Sequence, residues 1–450
     1  MANDNAALNT STKKKNTVEP GGHNGGLRRS LHGLGVMCGI AAGAWLGAAE
    51  APVKLASAGL SPFVISLAMV GGVFVARWTA PAVLKGTTYV FLDLKERPHL
   101  MVWAVLAGAL WAIANTLTVF AIRDVGLSIA FPLWNTNTLV GLFWGWLFFR
   151  ELRGAGLKNW VKVWGGAAAI LGGATLLALA STHRTSASGA VAGHAEAGVI
   201  AALGAGLLWG TMYVPYRKAY LSGMNPLSFV TVFTVGELGT MSTLALAFGG
   251  GFSPLMHALS LARASLFWLF LGGFCWVIGD LFQQYAAKYI GIGRGIPLAN
   301  TNQLWGLAWG ALVFGELNGQ PGITKLLVGG GTLVTIAGAI AISSALAPEE
   351  EQRSWQAATD RECERYGLNS AHAAAAMRGE DPLATRRNAS SRRWDGWILA
   401  AAIAIFVALA WFARKPPVLM SSPWMLVLIA LMLALLLYCG WLLWKRTRFS

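Results

Sequence analysis

The sequence predicts an all-α polytopic membrane protein: a ten-helix core of two inverted five-helix repeats, followed by a C-terminal two-helix hairpin. Three observations predict it. The composition is too poor in charge for a water-exposed surface, apolar runs of spanning length recur along the chain, and one 29-residue stretch occurs twice.

Of the 450 residues, 55% are hydrophobic and 12% charged, a balance that fits lipid rather than water. Backbone groups in lipid must pair within their own segment, so a run of roughly 17 to 25 apolar residues reads as a helix crossing a ~30 Å core. Ten such runs precede residue 348, at 33–50, 62–79, 100–121, 128–149, 160–181, 198–216, 226–249, 265–287, 293–314 and 324–347, and two follow at 396–413 and 421–444. Residues 1–32 are polar, lack the apolar centre of a signal peptide and read as a disordered cytoplasmic tail. Residues 182–197 read as an external linker, and 348–395, mixed in sign and partly Ala-rich, as a helical cytoplasmic linker. The hairpin and tail occupy 396–450 and carry Pro416 and Pro417 in the connecting turn.

The net charge of +15 reports topology. With the N-terminus inside, 28 of the 35 Lys and Arg fall in inside segments, Arg77, Arg217, Lys288 and Arg294 among them. This positive-inside bias predicts a multi-pass protein of the cell inner membrane with both termini cytoplasmic. The sequon at Asn388 then stays in the cytoplasm. The four cysteines have no metal spacing and read as small apolar fillers.

Residues 126–154 and 291–319 share 16 identities in 29 ungapped positions at an offset of 165. The match extends to Trp111 with Trp276, Asn115 with Asp280, and, at an offset of 163, Gly43, Gly47, Pro52 and Lys54 with Gly206, Gly210, Pro215 and Arg217. The repeats cover 33–181 and 198–347. Each has five spans, an odd number, so the second copy enters the membrane from the opposite side. An inverted pair builds one midplane site with two equivalent access routes, the architecture of alternating-access carriers. Channels also use inverted repeats, which leaves a pore as an alternative.

The stretch RDVGLSIAFPLWNTNTLVGLFWGWLFFRE and its partner KYIGIGRGIPLANTNQLWGLAWGALVFGE resemble the fourth and ninth helices of the drug/metabolite transporter superfamily. The Gly-x-Ser/Gly-x-x-x-Pro lead-in, the mid-helix polar cluster and the Phe–Glu ending look most like its bacterial glucose/ribose uptake and rhamnose–proton symporter branch. Asn-Thr-Asn replaces that branch's Ser-Thr-Gly. The resemblance covers residues 33 to 347 and implies a transporter driven by a proton gradient, with no cofactor.

The candidate binding residues are polar or aromatic groups at midplane depth. Asn135, Asn137, Asn300 and Asn302, with Gln303, offer neutral donors and acceptors suited to a polyol; the competing reading is interhelical glue. Pro132 and Pro297 free a carbonyl one turn earlier. Trp111 and Trp276 are candidates for stacking on a sugar face, and Asn115 and Gln283 for polar contact. Gly141-x-x-x-Gly145 and Gly306-x-x-x-Gly310 read as close-packing faces.

Ionisable residues inside a membrane are costly and point to function. Asp280 is the first candidate for proton coupling because its repeat mate is the neutral Asn115, and Glu237 is the second; the competing reading pairs each with Arg294 or a backbone group. Glu50, near Lys54, reads as an interface residue, and Glu151 and Glu316 as helix-end residues.

No catalytic constellation, phosphate loop, nucleophile elbow or metal cluster is present in the sequence, and the seven histidines lie in tails, loops or near an interface. The expected protein is not an enzyme but a proton-coupled sugar or polyol importer. The alternatives are an exporter of amino acids, drugs or other metabolites on the same fold, and a non-transporting membrane sensor or scaffold. The expected partners are a small neutral solute and the lipid bilayer, with no nucleic acid; a homodimer is the one protein assembly left open.

Overall fold

The computed structural model describes residues 21–56, 59–125, 133–152, 154–185, 195–315, 317–345, 349–381, 383, 393–414 and 420–450. Phe131, Pro132, Glu316, the sequon and the turn prolines lie outside the described residues, as do the side chains of Glu50 and Lys54.

The first repeat of the sequence contains α1 (Gly21–Ala56), α2 (Pro62–Leu84), α3 (Thr87–Glu96), α4 (Leu100–Val125), α5 (Asn137–Phe149) and α6 (Leu157–Thr185). The second contains α7 (Ala195–Leu221), α8 (Pro226–Phe248), α9 (Phe252–Leu261), α10 (Leu266–Ile290), α11 (Ile292–Ala299), α12 (Asn302–Ala308), continued by a π turn at Trp309–Val313, and α13 (Gly322–Ser343). Then come α14 (Glu349–Tyr366), α15 (Ser370–Met377), α16 (Arg393–Phe412) and α17 (Ser422–Thr447). Nine of the described helices are long and apolar enough to cross a membrane.

Local chemistry sets several boundaries. Pro62 and Pro226 open α2 and α8, where a missing N–H costs nothing, and the Asn225 side chain accepts from Leu227 N at 2.9 Å. Helix α1 starts at Gly21, inside the stretch read as a tail, and α3 and α9 are short helices where connecting loops were expected.

The repeats interleave: α1 packs on α10, α11 and α12, α7 on α4 and α5, and α6 on α13. Matched residues make matched contacts. A Cβ on Gly72 would stand 2.0 Å from Phe270 O, and one on its counterpart Gly236 would stand 2.1 Å from Val105 O. Likewise Gly273 faces Met69 O and Gly108 faces Phe233 O, both at 2.0 Å. Lipid tails supply no hydrophobic drive between helices, so backbone approach at small residues sustains this packing.

The segment read as a linker is docked instead. Trp355, Ala373 and Ala376 are buried, Lys218 pairs with Glu362 at 2.9 Å, and Lys85 pairs with Asp381 at 2.9 Å. The hairpin joins the same body. Asp395, at the start of α16, accepts from Thr87 N at 2.8 Å and Thr87 Oγ1 at 2.7 Å. Beyond α17, Phe449 O accepts from Asn225 Nδ2 at 2.6 Å and from the Tyr285 hydroxyl at 3.0 Å.

Candidate functional site

A three-charge knot lies at the meeting of α2, α8 and α10. Arg77 Nη2 donates to Asp280 Oδ2 at 2.8 Å, and Nη1 donates to Glu237 Oε2 at 3.3 Å. All three residues have 0% relative exposure. The guanidinium carbon sits 4.2 Å from the Phe233 ring centroid and 5.4 Å from that of Trp276, within cation–π range. Polar groups extend the knot: Gln284 Nε2 donates to Asp280 Oδ1 at 2.7 Å, and Tyr220 OH donates to Gln284 Oε1 at 2.7 Å. Gln283 turns to Tyr213, with Nε2 2.6 Å from the hydroxyl oxygen.

This corrects two expectations. Arg77 is not a loop cation; it lies inside α2, whose apolar run continues through Leu84. Asp280 pairs with Arg77 and not with Arg294, whose Nε donates to Ile290 O, the end of α10, at 2.6 Å. The missed signal was a single arginine in VGGVFVARWTAPAVL, which is costly inside a membrane unless a carboxylate meets it. The knot is one-sided. The repeat counterparts of Arg77, Glu237 and Asp280 are Met241, Val73 and Asn115, and Asn115 Nδ2 donates to Ser66 Oγ at 3.3 Å.

The Asn-Thr-Asn triplets sit at breaks between helices, not within continuous spans. Asn300 and Thr301 form the turn between α11 and α12, and Asn135 and Thr136 precede α5. Short polar side chains compete with helical backbone bonds; here Thr136 Oγ1 donates to Leu133 O and Thr301 Oγ1 donates to Leu298 O, at 2.8 and 2.7 Å. Glycines on the first helix of the opposite repeat admit each turn. A Cβ on Gly43 would stand 2.2 Å from Thr301 Oγ1, and one on Gly206 would stand 2.6 Å from Thr136 Oγ1.

Asn300 joins the two halves: its Nδ2 donates to Asn137 Oδ1 at 2.8 Å and to Thr138 Oγ1 at 2.7 Å. These three side chains tie the first repeat to the second. Two and three residues past Asn300, Asn302 Oδ1 and Gln303 Nε2 are buried without a hydrogen-bond partner among the described residues. A buried acceptor and a buried donor without partners leave a polar demand that hydroxyl groups satisfy. Asn135 is also buried. Trp111 and Trp276 meet edge to face, with centroids 4.9 Å apart at 65°, and Trp111 Nε1 is buried without an acceptor among the described residues.

With this geometry in place, similarity to known proteins narrows the class. Residues 196–344 match the EamA-like transporter family. The match spans α7 to α13 and includes Glu237, Asp280, Asn300 and Asn302, whereas Arg77 lies outside it. It points to a multi-pass membrane transporter of the drug/metabolite type and not to an enzyme. One solved structure, titled only "Crystal structure of protein", is similar over 72% of this chain and 99% of its own length, at 15% identity and a TM-score of 0.42. No curated protein matches.

Glu151 is more than the helix-end residue the sequence suggested. It is buried, and its carboxylate accepts from the backbone N–H of Ile292 at 3.0 Å and of Gly293 at 2.8 Å. The first turn of α11, inside the EamA-like region, therefore has its orphan donors satisfied by a residue outside it. Gly145 lets the carboxylate approach, since a Cβ there would stand 2.8 Å from Glu151 Oε2. Among the described residues no group of three His, Cys, Asp or Glu side chains is placed to hold a metal.

Proposed function

We propose that this protein is a secondary active transporter that moves a neutral, hydroxyl-rich solute, a sugar or similar polyol, together with a proton by alternating access. The observation that carries the reading is two carboxylates sharing one guanidinium, with all three groups fully buried. With both acids ionised the knot holds one excess negative charge, and a single proton brings it to neutrality. Arg77 belongs to the first repeat, and Asp280 and Glu237 to the second. Movement of one repeat against the other therefore acts directly on the pairs a proton competes for.

Asn302 and Gln303 supply the unpaired acceptor and donor for a substrate hydroxyl, and Trp111 and Trp276 supply an apolar wall for a sugar ring. We place the protein in a cell inner membrane with both termini cytoplasmic, driven by the proton gradient without a cofactor.

The test is uptake into proteoliposomes across a panel of labelled monosaccharides and polyols, with and without an inward proton gradient. Accumulation of one of them only with the gradient is expected, and Asp280→Asn should abolish that dependence while leaving exchange down a solute gradient. No uptake of any panel member overturns the solute class, and gradient-independent uptake by the unmodified protein overturns the coupling. Vesicles of both orientations separate import from export.

A further inference from the structure

Arg217, on α7, ties together four parts of the chain. Its Nε lies 3.7 Å from Glu151 Oε1. Its Nη1 donates to Lys288 O at 3.1 Å and to Ala287 O at 3.3 Å, at the end of α10. The Trp355 ring, from α14, covers the guanidinium carbon at 3.8 Å. Through Glu151 the tie continues to the first turn of α11, the half-helix that ends at the Asn300 turn. Neither Arg217 nor Glu151 is open to solvent, at 0% and 2% exposure.

We infer that α14 and α15 form a regulatory lid: Trp355 holds Arg217 against Glu151, and this latch keeps α11 seated so that one end of the transport pathway stays shut. Three features support it. The latch crosses the repeats, since Glu151 follows α5 in the first copy whereas Arg217 and α11 belong to the second, so opening this end means parting Glu151 from the α11 amides. The sequence supplies a second set, Glu316 and Lys54, at the positions matching Glu151 and Arg217. Trp355 lies outside both repeats and covers Arg217.

The lid also has fastenings of its own beside the Trp355–Arg217 contact. Lys218 pairs with Glu362 at 2.9 Å, the His99 ring stacks on Tyr366 at 3.8 Å and 8°, and Gly223 leaves room for Ala373, whose Cα would lie 2.7 Å from a Cβ there. A lid held at several points and pressing on the latch at one can be loosened without touching the latch. The inference rests on the alternating-access reading above.

Hydrogen–deuterium exchange of the full chain in lipid nanodiscs tests it, read at the amides of 291–299. Trp355→Ala should speed exchange there about tenfold, the factor that a desolvated cation–π contact supplies, while α4 and α8 stay unchanged. Trp355→Phe, which keeps a ring over Arg217, should stay near the unmodified rate. Glu362→Gln, which releases α14 without altering the latch, should also speed exchange at 291–299, and it decides the matter if Trp355→Ala does not fold. Unchanged exchange at 291–299 in the folded variants, or faster exchange confined to α14 and α15, overturns the lid. No transport is read in this experiment, so its failure leaves the uptake result standing, and a failed uptake leaves this result standing.

Discussion

Arg77 and Asp280 stand 203 positions apart in the chain and 2.8 Å apart in the fold, with neither exposed. The pair joins α2 of the first repeat to α10 of the second, and Glu237 on α8 closes the triangle at 3.3 Å. Three charges away from water are tolerated because each meets its opposite, and the removal of one exposes the others to the full desolvation penalty.

Arg77→Ala should therefore destabilise the protein by about 3 to 5 kcal/mol, the range for breaking a buried ion pair. Thermal unfolding in detergent reads it, and adding Glu237→Gln and Asp280→Asn to Arg77→Ala should restore most of the loss. A single variant that melts like the unmodified protein would remove the knot from the stability of the fold.

The polar turns divide into side chains tied across the repeats and side chains with unpaired buried atoms. Asn300→Ala removes the donor to Asn137 and Thr138 and should cost about 1 to 3 kcal/mol, as expected for stranded buried acceptors. Asn302→Ala and Gln303→Ala remove atoms with no partner among the described residues, so they should leave the melting temperature near its original value and weaken binding of the transported solute. Equal thermal losses in all three variants would argue against that division.

Gly236→Ala should impair assembly, because its Cβ would stand 2.1 Å from Val105 O, and overpacking of this kind costs about 1 to 3 kcal/mol or more. Gly239→Ala, on the same helix with nothing within 4 Å of the new atom, should be neutral. Size-exclusion profiles of the two proteins expressed side by side give the comparison.

Docking of α14 should weaken in acid. Burial lowers the pKa of His99; the neighbouring Glu362 acts in the opposite sense, and Lys218 and Arg97 add to the lowering. The docked state therefore binds fewer protons than the undocked state, whose histidine titrates near ~6.5, so docking is at full strength above that pH and falls below it. Amide exchange across α14, corrected for the intrinsic pH effect, should rise as pH falls below roughly 6.5 and stay flat in His99→Gln. A rise of the same size in His99→Gln would assign the effect to another group.

Much of the architecture was legible before any coordinates. The apolar runs at 62–79 and 226–249 became Pro62–Leu84 and Pro226–Phe248, whereas the closest backbone approaches fell at Gly72, Gly108, Gly236 and Gly273, which the sequence did not single out. Asp280 and Glu237 stood out because a carboxylate in an apolar run has few bland explanations. Arg77 did not stand out: the charge count that sets topology absorbed it as one more basic residue. Glu151 was passed over for a related reason, since a helix-end glutamate is ordinary until the α11 amides are found beneath it. The breaks at Asn135 and Asn300 were hidden because hydropathy reads length and not continuity.

The sequence by itself determined the all-helical, membrane-spanning class, the duplication, and the placing of the two Asn-Thr-Asn triplets at matching positions of the two copies. These are local properties, because lipid obliges each segment to satisfy its own backbone and a repeat is written in residue order. Only the tertiary structure decided that Arg77 pairs with both Asp280 and Glu237, that Asn300 is tied while Asn302 and Gln303 are not, and that Trp355 covers Arg217 beside Glu151. Such pairings depend on which helices cross and at what rotation, and packing between segments sets that geometry where no local rule reaches it.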